Sequence, residues 1–175
     1  MIEIAPCPDF HLARWHAGQQ RGPSLPMTDI DWMQQCLRLA EEAENLGEVP
    51  VAALVVIGNE LIASGFNRNI IDHDPSAHAE IVALRAAGKA VGNHRLVDAT
   101  LYCTLEPCLM CAGAIVHARV RRLVYAAADP KTGAVQSVFN VLLDPRHNHR
   151  VEVESGLLAD QSAERLRAFF RSRRH

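Results

Sequence analysis

From Asp29 onward the apolar positions Ile30, Met33, Leu37, Ala40 and Ala43 recur at three- and four-residue intervals. That period predicts an amphipathic helix, with Asp29 or Asp31 able to cap its start and Gly47 ending it. Val51 to Ile57 is then an almost unbroken apolar run, Gly58-Asn59 is a turn signal, and Glu60 to Ser64 resumes with mixed polarity. A β-hairpin is expected there, its first strand covered on both faces. After a polar loop around Asp72-His73-Asp74-Pro75 come a helix from about Ala77 to Ala90, a strand around Ala99 to Thr104, and a helix opening at Pro107, since proline suits the first helical position. Val120 to Tyr125 reads as a strand, Pro130 to Gly133 as a turn, and Val151 to Glu154 as a short alternating stretch. A last helix runs from Ala159 to about Arg174, with Leu166, Phe169 and Phe170 on or near one face.

Helices alternating with strands after an initial hairpin imply an α/β layered domain over residues 28–175, a mixed sheet of about five strands with helices on both faces. Residues 1–27 mix Pro, Gly, Gln and His without a sustained period and are expected to be a flexible N-terminal extension, with Met27 as a second possible start.

At 175 residues and 49% hydrophobic content the chain can bury one substantial core, which favours one domain. No apolar run of about 18 or more residues occurs, and residues 1–27 carry Arg14, Arg21, His11, His16 and several prolines where a signal peptide needs an uninterrupted apolar stretch. A soluble, unsecreted protein with no membrane association is expected. Five cysteines cannot all pair, and Cys108 and Cys111 sit three apart among helix-forming residues, so a reducing cytoplasm fits better than a disulfide framework. The formal net charge of −2 carries no global signature of a nucleic-acid binder, which leaves the local distribution of charge as the informative quantity. Among 18 basic residues only Lys89 and Lys131 are lysines. Arginine offers a planar fork for phosphate and a face that stacks on bases, although a GC-rich genome produces the same bias.

Two short groups carry candidate chemistry, His78-Ala79-Glu80 and Pro107-Cys108-Leu109-Met110-Cys111, both at predicted helix starts. Cysteines three apart on a helix share a face, so two thiolates can reach one ion while an imidazole from another helix supplies a third ligand. Three protein ligands leave a tetrahedral zinc ion one open vertex, the catalytic rather than the closed structural form; a closed site needs Cys103 or another histidine as fourth ligand. Two helix N-termini aimed at the ion add positive potential that favours thiolates. Zinc activates water near neutral pH, and a carboxylate placed as Glu80 is can take a proton from that water, pass it to a ring nitrogen and later protonate a departing amine. Singly these parts are weak, because a lone C-x-x-C also serves as a redox or structural pair and a helix-start histidine as a cap. Together, H-x-E followed by P-C-x-x-C is the signature of zinc-dependent nucleobase deaminases.

From about Asp31 to Arg174 the chain resembles bacterial tRNA-specific adenosine deaminases. The resemblance is carried by Glu48-Val49-Pro50-Val51, Asp74-Pro75-Ser76-Ala77-His78-Ala79-Glu80-Ile81, Thr104-Leu105-Glu106-Pro107-Cys108 and Met110-Cys111-Ala112-Gly113-Ala114. It continues through Asp129-Pro130-Lys131-Thr132-Gly133-Ala134, Asn148-His149-Arg150-Val151-Glu152 and the tail Phe169-Phe170-Arg171-Ser172-Arg173-Arg174. The metal core recurs across deaminases of many substrates; the Asp129 to Ala134 block and the aromatic-arginine tail point more narrowly to the tRNA enzymes. The resemblance implies a three-layer α-β-α, cytidine-deaminase-like fold and one Zn2+ per subunit held by His78, Cys108 and Cys111. It makes Glu80 the proton shuttle and puts Asn67 and Ala79 at the target base, with Asn67 hydrogen-bonding it. Asp129 and Lys131 would line the entrance for flanking nucleotides, and Phe169, Phe170, Arg171, Arg173 and Arg174 would reach the anticodon loop of a tRNA. The implied protein is a cytoplasmic homodimer that converts adenosine to inosine at the wobble position. Ala52 departs from the usual glycine and is expected to alter packing near the pocket, while the family offers no function for the extension before Asp29.

Read physically, Arg165, Arg167, Arg171, Arg173 and Arg174 concentrate positive charge around Phe169 and Phe170, which suits phosphate contact and stacking on unpaired bases. A solvated basic helix end with its aromatics in the core is the alternative, since cations favour a helix C-terminus in any case. His73, His94, His117, His147 and His149 have loop, packing or capping explanations; Cys7, Cys36 and Cys103 are expected as free thiols, the latter two buried. Two other functions stay open on the residues. A deaminase of free cytosine, guanine or cytidine nucleotides keeps the same core but does not need the arginine-rich tail. A non-catalytic, zinc-stabilised RNA-binding protein has no use for a carboxylate at the position of Glu80.

Overall fold

A computed structural model describes residues 26–174, so most of the expected extension, with Cys7, lies outside the described residues. Helix α1 (Asp29–Asn45) starts in a capping box: the Thr28 hydroxyl accepts from the Asp31 N–H and the Asp31 carboxylate accepts from the Thr28 N–H. Thr28 is therefore the cap and Asp31 its reciprocal partner, while Asp29 turns away to accept from Arg122 and Tyr102. Trp32, Met33, Cys36, Leu37, Ala40 and Ala43 form the buried stripe. Ile30, expected on that stripe, is exposed in the first turn, which Asp29 ties to the sheet through Arg122 of a later strand. Gly47, at φ 84°, ends the helix as its sequence position suggests.

Strands β1 (Ala52–Ile57) and β2 (Glu60–Phe66) pair antiparallel through Gly58 and Asn59, whose φ values of 57° and 65° make the tight hairpin turn that this dipeptide favours. There follow α2 (Ala79–Val91), β3 (Thr100–Leu105), α3 (Leu109–His117), β4 (Arg122–Ala127), β5 (Glu152–Ser155) and α4 (Ala159–Ser172). The sheet has the order β2-β1-β3-β4-β5; β1 runs antiparallel to both neighbours, and β3, β4 and β5 are parallel. It is the mixed five-stranded sheet expected.

Strand alternation divides the core into two layers. Ala53, Val55, Leu101, Cys103, Leu123 and Tyr125 pack with α2 and α3, whereas Ala52, Leu54, Val56, Tyr102, Val124 and Ala126 pack with α1. Helix α4 shares the α1 side, where Arg165 donates to Glu44 at 2.9 Å and the Ser162 hydroxyl donates to the Thr104 carbonyl. Each fully buried Leu, Val or Ile in these layers contributes about 1.5–3 kcal/mol of transfer free energy. The Ala52 departure packs in the α1 layer, its N–H donating to Thr104 Oγ1 and its carbonyl accepting from Cys36.

Gly65 sets how closely α2 lies on the sheet: a Cβ there would stand 2.6 Å from the Ala83 nitrogen and 2.7 Å from the Ala79 carbonyl. At the other critical junction, α3 begins two residues later than the proline rule suggests. Cys108 has extended φ/ψ of −76° and 177° and is the N-cap, so Pro107 stands outside the helix, where its carbonyl accepts from Ala134 N–H at 2.8 Å.

Candidate active site

His78 is the N-cap of α2 and Cys108 the N-cap of α3, and neither side chain makes the usual capping hydrogen bond. Both are thereby free to turn toward each other across the ends of the two helices. His78 Nδ1 lies 3.6 Å from Cys108 Sγ and 3.6 Å from Cys111 Sγ, and the two sulfurs are 3.7 Å apart. A tetrahedral zinc ion, with about 2.3 Å to sulfur and about 2.0–2.1 Å to imidazole nitrogen, requires roughly 3.8 Å between sulfurs and roughly 3.6 Å between sulfur and nitrogen. The donor triangle therefore has the dimensions of three vertices of one such ion. Among the described residues Cys103 does not join this group; it is fully buried in β3.

The α2 terminus is satisfied from outside. Ala79 N–H donates to Asn67 Oδ1 at 2.8 Å, so Asn67, at the end of β2, does the capping that His78 does not. Glu80, one turn position into α2, is 3% exposed. Burial raises its carboxyl above the usual range, opposed by its own backbone amide, His78 and the Cys111 thiol. The hydrogen bond from Cys111, followed by that from His78, holds the Cys108 thiol down to about 4 against the effect of burial. Cys111 moves up, since it keeps its proton for Cys108 and is itself buried. His78 is raised by its hydrogen bond to Cys108. The group thus offers a ready thiolate, a neighbouring thiol and imidazole that could complete a metal set, and a buried carboxyl suited to holding a proton.

Of the other expected residues, Ala79 is fully buried and its N–H donates to Asn67. Asp129 shapes its own loop, accepting from the Lys131 and Thr132 amides and the Thr132 hydroxyl. Lys131 is exposed and, with Asp129, Arg167, Phe170, Arg171 and Arg174, lines a cavity of about 680 Å³ between that loop and α4. The two phenylalanines divide: Phe170 is 47% exposed, whereas Phe169 is 4% exposed. The Arg173 guanidinium lies 4.4 Å from the Phe169 ring centroid and donates to the Gly47 carbonyl. Phe169 is therefore core packing rather than the exposed stacking surface expected, while Arg173, itself exposed, helps to tie α4 to the end of α1.

Two buried glutamates escaped the sequence reading. Glu48 accepts from the Ile70 and Ile71 amides at 2.9 and 2.8 Å. Glu106 accepts from the amides of Asp129, Val135, Gln136 and Ser137 and from the Ser137 hydroxyl. Each abuts a strand in an apolar context, Glu48 before Val49-Pro50-Val51 and Glu106 after Leu105, and that placement is the signal available in the sequence.

The sequence profile of the MafB19-like deaminases matches residues 27–174. A tRNA-specific adenosine deaminase of Haemophilus influenzae is 50% identical over 147 residues, covering 83% of this chain and 85% of that protein. The protein of the same name from Bacillus subtilis is 45% identical over 143 residues, covering 82% and 89%. Among solved structures, one from work on A-to-I editing by tRNA:A34 deaminases at the wobble position of transfer RNA superposes with a TM-score of 0.73 at 46% identity, over 76% of this chain and 96% of that one. A guanine deaminase from Nitrosomonas europaea superposes with a TM-score of 0.72 at 29% identity, over 85% and 87%.

Proposed function

The chain belongs to the MafB19-like deaminases and, among them, to the tRNA-specific adenosine deaminases, and from that premise we propose that it converts adenosine to inosine at the wobble position of a tRNA anticodon loop, by hydrolysis with release of ammonia. The observation that carries the chemistry is the His78, Cys108 and Cys111 triangle, with three vertices of a tetrahedral ion filled from the chain and Glu80 buried beside it. These donors fit zinc, one per chain. When bound, zinc supplies a Lewis acid that makes water nucleophilic near neutral pH.

Glu80 takes a proton from the attacking water and gives it to purine N1. It then takes the remaining hydroxyl proton from C6 and hands it to the departing amino group, leaving a C6 carbonyl and ammonia. The raised affinity of the Glu80 carboxyl for a proton suits this carrier role. Asn67, its oxygen fixed by Ala79 N–H, has its amide nitrogen left to donate to the base. Exposed Phe170, with Lys131, Arg171 and Arg174 around the same cavity, supports stacking and phosphate contacts with flanking nucleotides, which an anticodon loop can splay at less cost than a duplex. The enzyme works in the cytoplasm as a homodimer, in which a second copy would cover apolar side chains exposed near the site, Leu109 and Met110 of α3 and Val138 and Phe139 beyond Gly133. No helix among the described residues is long and apolar enough to cross a membrane.

The likeness to a guanine deaminase gives a second reading, deamination of a free base, a specific alternative at lower identity. Incubating the purified protein with an anticodon stem-loop, total tRNA, guanine and cytidine, followed by nucleoside analysis, separates the two. Inosine in the stem-loop is the expected result; turnover of free bases alone overturns it. Glu80→Ala should keep zinc and folding while ammonia release falls by about 10²–10⁴-fold. Loss of folding together with activity would favour a purely structural metal site.

A further inference from the structure

Glu106 is 2% exposed, and a carboxylate so buried persists only where its lone pairs are filled. They are filled from one direction. Oε1 accepts from three successive amides, Val135 at 3.1 Å, Gln136 at 2.8 Å and Ser137 at 2.9 Å, and Oε2 from Asp129 N–H at 3.0 Å and the Ser137 hydroxyl. Successive amides converging on one oxygen form an anion-holding nest. All five donors belong to the segment 129–137, which carries Asp129 and Lys131. On its other side Glu106 is joined through Pro107 to Cys108. Backbone ties run in parallel: Ala134 N–H donates to the Pro107 carbonyl, Gly133 forms a bridge with Cys108, and Glu106 N–H donates to the Ala127 carbonyl. No room for adjustment exists at Gly133, where a Cβ would stand 2.5 Å from Glu106 Cδ.

We propose that Glu106 is the positioning residue that locks the 129–137 loop to the Cys108 segment, and so sets how firmly nucleotides flanking the reacting base are held while that base occupies the site. This rests on the reading of the chain as a tRNA deaminase. Glu106 itself touches neither base nor metal; it acts through the loop on substrate binding, and the signature is a change in KM rather than in the chemical step.

Glu106→Gln tests this, because its amide nitrogen must face either the Asp129 amide and Ser137 hydroxyl or the three amides of the nest, donor against donor. Zinc should stay at wild-type stoichiometry. Hydrogen exchange at residues 135–137 should accelerate, and KM for an anticodon stem-loop should rise about tenfold or more with kcat changed by less than about threefold. Unchanged exchange and KM overturn the proposal, as does a fall confined to kcat, or loss of zinc, which would make Glu106 a support of the metal centre instead. Should the glutamine variant fail to fold, Ser137→Ala removes one of the five donors and should raise KM a few-fold at constant kcat; an unaltered KM overturns the proposal. A wild-type protein inert toward the stem-loop overturns the tRNA reading and this proposal with it, whereas an active wild type matched by its variants overturns this proposal alone.

Discussion

Replacing Gly133 with alanine introduces a single methyl where the structure has no space for one. The new Cβ would stand 2.5 Å from Glu106 Cδ and Oε2 and 2.6 Å from the Asp129 carbonyl. Relief to an ordinary carbon contact of about 3.5 Å needs a displacement of roughly 1 Å. Glu106 cannot supply it, since five donors hold its carboxylate. The loop must move instead, and a shift of that size takes the 2.8 Å bond from Ala134 N–H to the Pro107 carbonyl past hydrogen-bonding range. Overpacking costs about 1–3 kcal/mol and one lost backbone hydrogen bond about 1 kcal/mol, so Gly133→Ala should lose roughly 2–4 kcal/mol. For a domain of this size each kcal/mol lowers Tm by about 2–4 °C, which predicts a drop of roughly 5–15 °C. The assay is thermal unfolding of zinc-loaded wild type and variant, with zinc stoichiometry and stem-loop turnover measured on the same samples. A Tm within about 1 °C of wild type, with turnover intact, would mean that the loop yields freely and that the steric argument is wrong.

Cys111→Ala should bind less than one zinc per chain, and a chelator should silence the wild type until zinc is restored; stoichiometric zinc in the variant would remove Cys111 from the ligand set. Phe169→Ala should destabilise by about 3–5 kcal/mol, whereas Phe170→Ala should leave Tm nearly unchanged and raise the stem-loop KM; the opposite pattern would put the wrong ring in the core. Asp29, held below the usual carboxylate range first by Arg122 and then by Tyr102, should stabilise the fold above its unfolded value near about pH 4 and lose that contribution as pH falls through its lower folded value. The stability gap between wild type and Asp29→Asn should therefore be flat from about pH 5 to 7 and close below about pH 4. With the side chain 38% exposed the gap should be under about 1 kcal/mol, and a gap undiminished at about pH 2 would exclude a charge-based origin.

The features legible in the sequence are those that depend on neighbours in the chain. The α1 stripe from Met33 to Ala43, the Gly58-Asn59 hairpin and the Cys108–Cys111 spacing are local patterns, and the fold reproduces them. Local rules err where a tertiary tie competes: Thr28 takes the cap because Asp29 is drawn to Arg122, and Pro107 stays outside α3 because its carbonyl is claimed by Ala134. Phe169 and Phe170 are adjacent, so helical periodicity alone does not decide which one the core receives. The partners of the buried glutamates were not legible for a different reason. They are backbone amides about 22 to 31 positions away, and an amide leaves no trace in residue type.

Asn67 imposes a constraint on anyone wishing to retarget this scaffold toward another nucleobase. Its oxygen closes the start of the helix that presents His78, so exchanging the residue to recognise a different ring edge would also loosen the imidazole. The side chains on the 680 Å³ cavity carry no such tie, and their replacement leaves that helix end undisturbed.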